Sequence, residues 1–235
     1  MEGTEALLLH RYVHSYVCPI PDFSVKLTWK SASLSMALQS FSVLSLSGPM
    51  MTYLLSRKYT LSWITMARTF SSFIEIFSTI STPWAVSRLS GPHINPLRPL
   101  IRVGTWGLSW QLVTLLPALV SLFFLSDDPS DAPASTHPWL TAAFFVFLAL
   151  SRLGLWTHNL MAQNLVQIAV PEKQLVEFSG VEMSFVSAAE VGRWSCTAAW
   201  SQPAQFRGVA VASMIVLFLC WASFILWARN TITSA

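Results

Sequence analysis

Residues Ser151 to Trp156 read SRLGLW, inside an apolar stretch in which His158, Asn159 and Gln163 follow at helical spacing. A charged residue, an aromatic ring and a run of amides are costly at bilayer depth unless they face protein or a water-filled path. The stretch therefore reads as a membrane helix that lines a transport path.

Composition extends this reading to the whole chain. Hydrophobic residues make up 53% of it and charged residues 11%, against about 25% charged in an ordinary soluble domain. Eleven Trp and fifteen Phe suit a bilayer, where aromatic rings gather at the interface and in helix packing. Cys18, Cys196 and Cys220 have no paired spacing, so neither a disulfide framework nor a CxxC metal site is indicated, and Cys196 and Cys220 read as packing residues. The start, MEGTEALLLHRY, carries Glu2 and Glu5 where a secretory signal carries positive charge, so no cleavable signal peptide is expected. A net charge of +3 spread along loops implies no nucleic-acid partner.

Crossing about 30 Å of hydrocarbon takes about 20 helical residues. Six stretches are long enough: Ser33 to Leu55, Leu61 to Val86, Val103 to Leu125, Leu140 to Gln163, Phe178 to Ser201 and Phe206 to Ala228. The expected fold is an all-α integral membrane protein of six transmembrane helices over residues 31–235, preceded by a cytosolic segment over 1–30 in which Cys18-Pro19-Ile20-Pro21 forbids a continuous helix. The fifth span is the least apolar. It rests on small residues, Ser187, Ala188, Ala189 and Gly192, that let helices approach closely, and an interfacial or re-entrant helix is its alternative. Ser56 to Thr60 forms a tight basic turn, Gly91-Pro92 and Asn95-Pro96 interrupt the chain after the second span, and Ser126 to Pro138, SDDPSDAPASTHP, is an acidic, proline-rich loop.

Lys and Arg orient the spans. The side that holds the amino terminus collects eight, Arg11, Lys26, Lys30, Arg88, Arg98, Arg102, Lys173 and Arg229; the other side has three, Arg57, Lys58 and Arg207. Both termini are therefore expected in the cytosol of a multi-pass membrane protein, with plasma or organelle membrane left open. Arg68, Arg152 and Arg193 remain inside spans.

Four places within the spans carry candidate chemistry. At Ser45 to Pro49, Gly48 and Pro49 interrupt a helix and free backbone carbonyls that can coordinate cations, with a simple proline kink as the plainer reading. In the fifth span Glu182, Val186, Glu190, Arg193 and Thr197 share one face, which must turn to a cavity or a partner. Glu190 and Arg193 lie one turn apart and can neutralise each other as an internal ion pair or line that cavity. An imidazole can bind a divalent transition metal and an amide oxygen can assist, so His158 with Asn159 is the metal candidate, against a hydrogen-bonded packing histidine. Glu75 shares a face with Arg68, but about 10 Å of rise separates them; with Arg152 these are gating or helix-packing candidates. No acid, base and metal set converges on one membrane face, so the chain does not read as an enzyme.

The run SRLGLWTHNLMAQNLVQ at Ser151 to Gln167, followed by GVEMS at Gly180 to Ser184, resembles the tenth and eleventh spans of the ferroportin family of iron-efflux transporters. FSVLSLSGPMMTYLL at Phe41 to Leu55 is similar to the seventh span, and Ala67, Arg68 and Pro83 with RVGTWGLSWQ at Arg102 to Gln111 to the eighth and ninth. The resemblance runs from Asp22 to Ala228 in the family's order. Ferroportins are distant members of the major facilitator superfamily with two six-span halves, and this chain looks like the second half, an incomplete or half-length member. The resemblance implies a transported substrate, Fe(2+) or another divalent metal, with no resident cofactor. It implies as partners membrane lipid and a first-half transporter domain or a second copy of the chain. A non-transporting remnant or assembly partner is the alternative. It also implies a broken first span that contributes to a metal site. Yet Leu44 stands where animal members have a cysteine ligand, Arg193 where they have a histidine, and His158-Asn159 where the family has an aromatic and then an aspartate.

Overall fold

The computed structural model describes residues 33–42, 44, 48–57, 59–91, 97–126, 138–200 and 206–233. The segment over 1–30, Ser45, and the acidic residues Asp127, Asp128 and Asp131 lie outside them. All regular structure among the described residues is helical: α1 over 33–40, α2 Gly48–Ser56, α3 Leu61–Leu89, α4 Leu97–Ser126, α5 Pro138–Ala169, α6 Glu172–Ala199 and α7 Phe206–Thr233. Helices are what an apolar chain can form in lipid, because they satisfy every backbone group internally.

The span expected from Ser33 to Leu55 is two pieces, α1 and α2. The break precedes Gly48 instead of lying at Gly48-Pro49. Pro49 falls in the first turn of α2, where its missing N–H forfeits no intrahelical bond. Pro83 and Pro117 lie inside α3 and α4 without ending them.

Among the described residues three segments are long and apolar enough to cross a membrane, Leu97–Leu125, Trp139–Ile168 and Phe206–Thr231. By length and composition these are three of the six expected spans. The 29 residues of α3 and the 28 of α6 have the length but not the apolarity. In α3 the deficit comes from hydroxyl residues, and these bond back to their own helix. Thr65 donates to the Leu61 carbonyl at 2.8 Å, Thr69 to that of Thr65 at 3.0 Å, and Thr79 to that of Ile76 at 2.7 Å.

Packing centres on α4 and α5, with α3 against α5 and α7 against α4. Gly107 and Gly154 make the central crossing: a Cβ on Gly107 would come 2.9 Å from the Gly154 carbonyl oxygen and 3.0 Å from the His158 nitrogen. Only hydrogen fits there, as at small-residue helix crossings in membranes. One apolar cluster fills one end of the bundle, with Leu54, Ile64, Leu115, Leu122, Phe144 and Leu217; a second, with Ile101, Leu108, Met161, Leu165 and Phe224, fills the other. Between them runs a layer of polar contacts. Gln39 donates to the Gln111 amide oxygen, Thr82 and Thr157 share a hydrogen bond at 3.1 Å, and the Trp221 indole donates to Ser109 at 2.8 Å. Cys220 is buried with its thiol 3.4 Å from the Ser35 carbonyl, which fits the packing role expected of it. Helix α6 leaves Val176, Val181, Met183, Phe185 and Val191 exposed.

Candidate functional site

A break in a membrane helix leaves space beside the missing turn. Here that space is a cavity of about 140 Å³, bounded by Gln39, Ser40, Ser42 and Leu44 from α1 and the link after it, by Arg152, Leu155 and Asn159 from α5, and by Glu190 and Arg193 from α6. Steps of three and four residues put Arg152, Leu155 and Asn159 on one face of α5, and a step of three does the same for Glu190 and Arg193 on α6. The α6 face read from sequence thus converges with a face of α5 on one space.

Charge within it is uneven. Arg193 Nη2 lies 3.8 Å from Glu190 Oε1, with 13% of the arginine side chain exposed against 53% of the glutamate. The cation is therefore the more desolvated partner, and the carboxylate leans outward. Arg152 Nε lies 3.6 Å from Glu75 Oε1, a contact between α5 and α3. Several buried polar atoms around the cavity have no hydrogen-bond partner in the protein: Gln39 Oε1, Ser42 Oγ, Asn159 Oδ1, and Nε of Arg152 and Arg193. Buried polar atoms are nearly always paired with protein or water, so their concentration here marks a space built for a polar occupant.

Of the two readings of His158, the geometry matches the hydrogen-bonded packing histidine. Adjacent residues on a helix point about 100° apart, and only Asn159 reaches the cavity. His158 is fully buried on the other side, with Nδ1 3.2 Å from the Gly104 carbonyl, Nε2 2.9 Å from Ser35 Oγ, and its ring edge-on to Phe224. A carbonyl only accepts, so Nδ1 carries the proton and the Nε2 lone pair accepts from the Ser35 hydroxyl. No lone pair is left for a metal. Among the described residues no group of three His, Cys, Asp or Glu that could hold a metal ion occurs. His158→Ala is expected to lower stability by about 1–3 kcal/mol, the cost of unpaired buried groups, in thermal unfolding of the detergent-purified chain. Cobalt titration of the same variant should match the parent.

Glu75 and Arg68 are not paired. Glu75 meets Arg152, while Arg68 is exposed with Nη1 3.6 Å from Met51 Sδ. Gly48 is outside the cavity lining and lies against the Trp194 ring of α6. Of the stripe on α6, Glu182 is buried, Val186, Arg193 and Thr197 are half-buried, and Glu190 is exposed. Sequence reasoning passed over Gln39 and Ser42. An amide at bilayer depth in an apolar span is the signal that marks Gln39.

Residues 24–217 match the family model described as Ferroportin1 (FPN1). The chain is 27% identical over 191 residues to the solute carrier family 40 member 1 of Oryza sativa subsp. japonica, an alignment that covers 78% of this chain and 34% of that protein. It is similar at 25% identity to a bacterial homologue of the iron transporter ferroportin in its outward-facing and its inward-facing state. The TM-score is 0.72 for each, with 86% of this chain and 45% of that chain covered. A bacterial metal transporter matches with a TM-score of 0.70 at 25% identity, with 86% and 48% covered. The chain therefore spans about a third of the curated relative and about half of the solved ones.

Proposed function

This chain belongs to the ferroportin family, and from that premise we propose that it forms the second-half wall of a divalent-metal transporter, by resemblance for iron, with the cavity between α1, α5 and α6 on the path. The observation that carries this reading is the cavity itself, which the broken span and the polar faces of α5 and α6 line together. Equal similarity to outward-facing and inward-facing relatives supports a half that moves as one body, as in alternating access by rocking halves. Six spans remain our reading of the topology. The hydroxyls of α3 are internally bonded, which lowers their cost in lipid, and Glu190 and Arg193 of α6 share a face that turns towards the cavity.

A wall needs its opposite. The 235 residues expressed alone are expected to give no saturable release of radiolabelled iron from oocytes, and release should appear when a first-half domain of the family is co-expressed. Robust efflux from the single chain would defeat the two-wall reading. One observation favours the rival, a non-transporting remnant or assembly partner: Leu44 and Arg193 both line the cavity and neither can ligate a metal. Failure of co-expression to restore efflux would favour it.

The count of Lys and Arg, eight against three, supports cytosolic termini. A glycosylation site inserted between Asp127 and Asp131 should be modified in microsomes, whereas a site at the carboxyl terminus should not. The reverse pattern would overturn the orientation.

A further inference from the structure

We infer that the cavity between α1, α5 and α6 is a site for a small hydroxycarboxylate anion instead of a bare divalent cation. The inference rests on the preceding reading that this space lies on the path, and it names what the space holds. Its lining carries two guanidinium groups, Arg152 and Arg193, against one carboxylate, Glu190, which is the most exposed of the three. Glu75 offsets Arg152 from the α3 side at 3.6 Å, outside the lining. In each pair the cation is the more buried member, so the guanidinium groups set the charge nearest the space, and an entering cation meets them before any ligand.

Hydrogen-bond demand narrows the class. Arg193 Nε is a buried donor without an acceptor, and a carboxylate is the acceptor that best matches a guanidinium fork. On the other two helices that bound the space, Gln39 Oε1 and Asn159 Oδ1 are buried acceptors without a donor. The Gln39 amide nitrogen donates to Gln111, which leaves its oxygen as the atom without a partner. Carboxylate oxygens satisfy the arginine but repel the amide oxygens; a hydroxyl on the same molecule donates to them. An anion that carries both groups meets both demands at once, and a space of about 140 Å³ admits a few heavy atoms together with water. Leu44 and Leu155 supply an apolar edge for its carbon skeleton.

The test is calorimetric titration of glycolate, acetate and chloride into the full chain in nanodiscs of uncharged lipid. Glycolate is expected to bind saturably, acetate about tenfold more weakly for want of the hydroxyl, and chloride more weakly still. Arg193→Gln should weaken glycolate at least about tenfold. Glu190→Gln, which removes the only negative charge in the lining, should tighten it, an outcome that damage to folding cannot produce. Absence of saturable glycolate binding, weaker binding in Glu190→Gln, or chloride binding as tight as glycolate would each overturn the assignment. Equilibrium binding needs no opposite half, so a negative efflux result leaves this test intact, and a failure here leaves the transporter reading to its own experiment.

Discussion

Gly154→Leu is expected to abolish the folded bundle, and Gly154→Ala to cost about 1–3 kcal/mol or more. A Cβ at position 154 would strike the Gly107 carbonyl oxygen and come 2.8 Å from the Gln111 nitrogen. Both obstacles are backbone, so no rotamer change relieves them; the helices must separate. Separation of α4 from α5 would also break the Trp110 indole bond to the Leu150 carbonyl at 3.1 Å and the His158 contact with Gly104 at 3.2 Å. Both apolar clusters draw residues from α4 and α5, so neither survives intact. Size-exclusion of the detergent-solubilised protein and thermal unfolding provide the measurement. A monodisperse Gly154→Leu chain with parental stability would show that the two helices do not depend on this crossing. Gly208→Ala, where a Cβ meets nothing within 4 Å, is the control and should change stability little.

How much of this was readable from sequence depends on the range over which each signal acts. Helix content, the apolar spans of α4, α5 and α7, and the inward face of α6 are periodic features of single segments, and periodicity survives without knowledge of the neighbours. The family resemblance added the order of the spans and the broken first one. Pairing across helices was another matter. Glu75 has Arg68 on its own face by spacing, yet its partner is Arg152 from α5, because 10 Å of rise forbids the first contact (about seven residues at 1.5 Å each) and only tertiary packing supplies the second. His158 and Asn159 are adjacent in sequence and were treated as one unit; the helix turns them to different neighbours, one to the packed polar layer and one to the cavity. Gln39 and Ser42 became visible only once α1 and α5 were set side by side.

Replacing both departures from the animal pattern at once, Leu44→Cys with Arg193→His, is expected to create divalent-metal binding that the parent chain lacks. In the parent the leucine offers no donor, and the guanidinium has no lone pair to give. It also opposes a dication by on the order of 8 kcal/mol at 4 Å in an effective dielectric of 20, a repulsion that Glu190 offsets in part. The structure places positions 44 and 193 on one cavity, together with Asn159 and Glu190. The double substitution therefore does three things at a single place. It supplies a thiol and an imidazole, both good ligands for Co(II) and Fe(II). It removes the repelling charge, and it frees the Glu190 carboxylate from its 3.8 Å contact with Arg193. With the unpartnered Asn159 Oδ1, four donors then surround the space. Cobalt titration, read by calorimetry and by the d–d and thiolate charge-transfer absorption, should show at least tenfold tighter binding, about 1.4 kcal/mol or more. The intense thiolate band should disappear when Leu44→Ser replaces Leu44→Cys. His158→Ala in the double variant should leave the affinity unchanged, because that ring faces Ser35 and Gly104 instead of the cavity. Micromolar cobalt binding by the parent chain, or no gain in the double variant while it remains folded, would show that the cavity does not preserve the ligand geometry implied by the family.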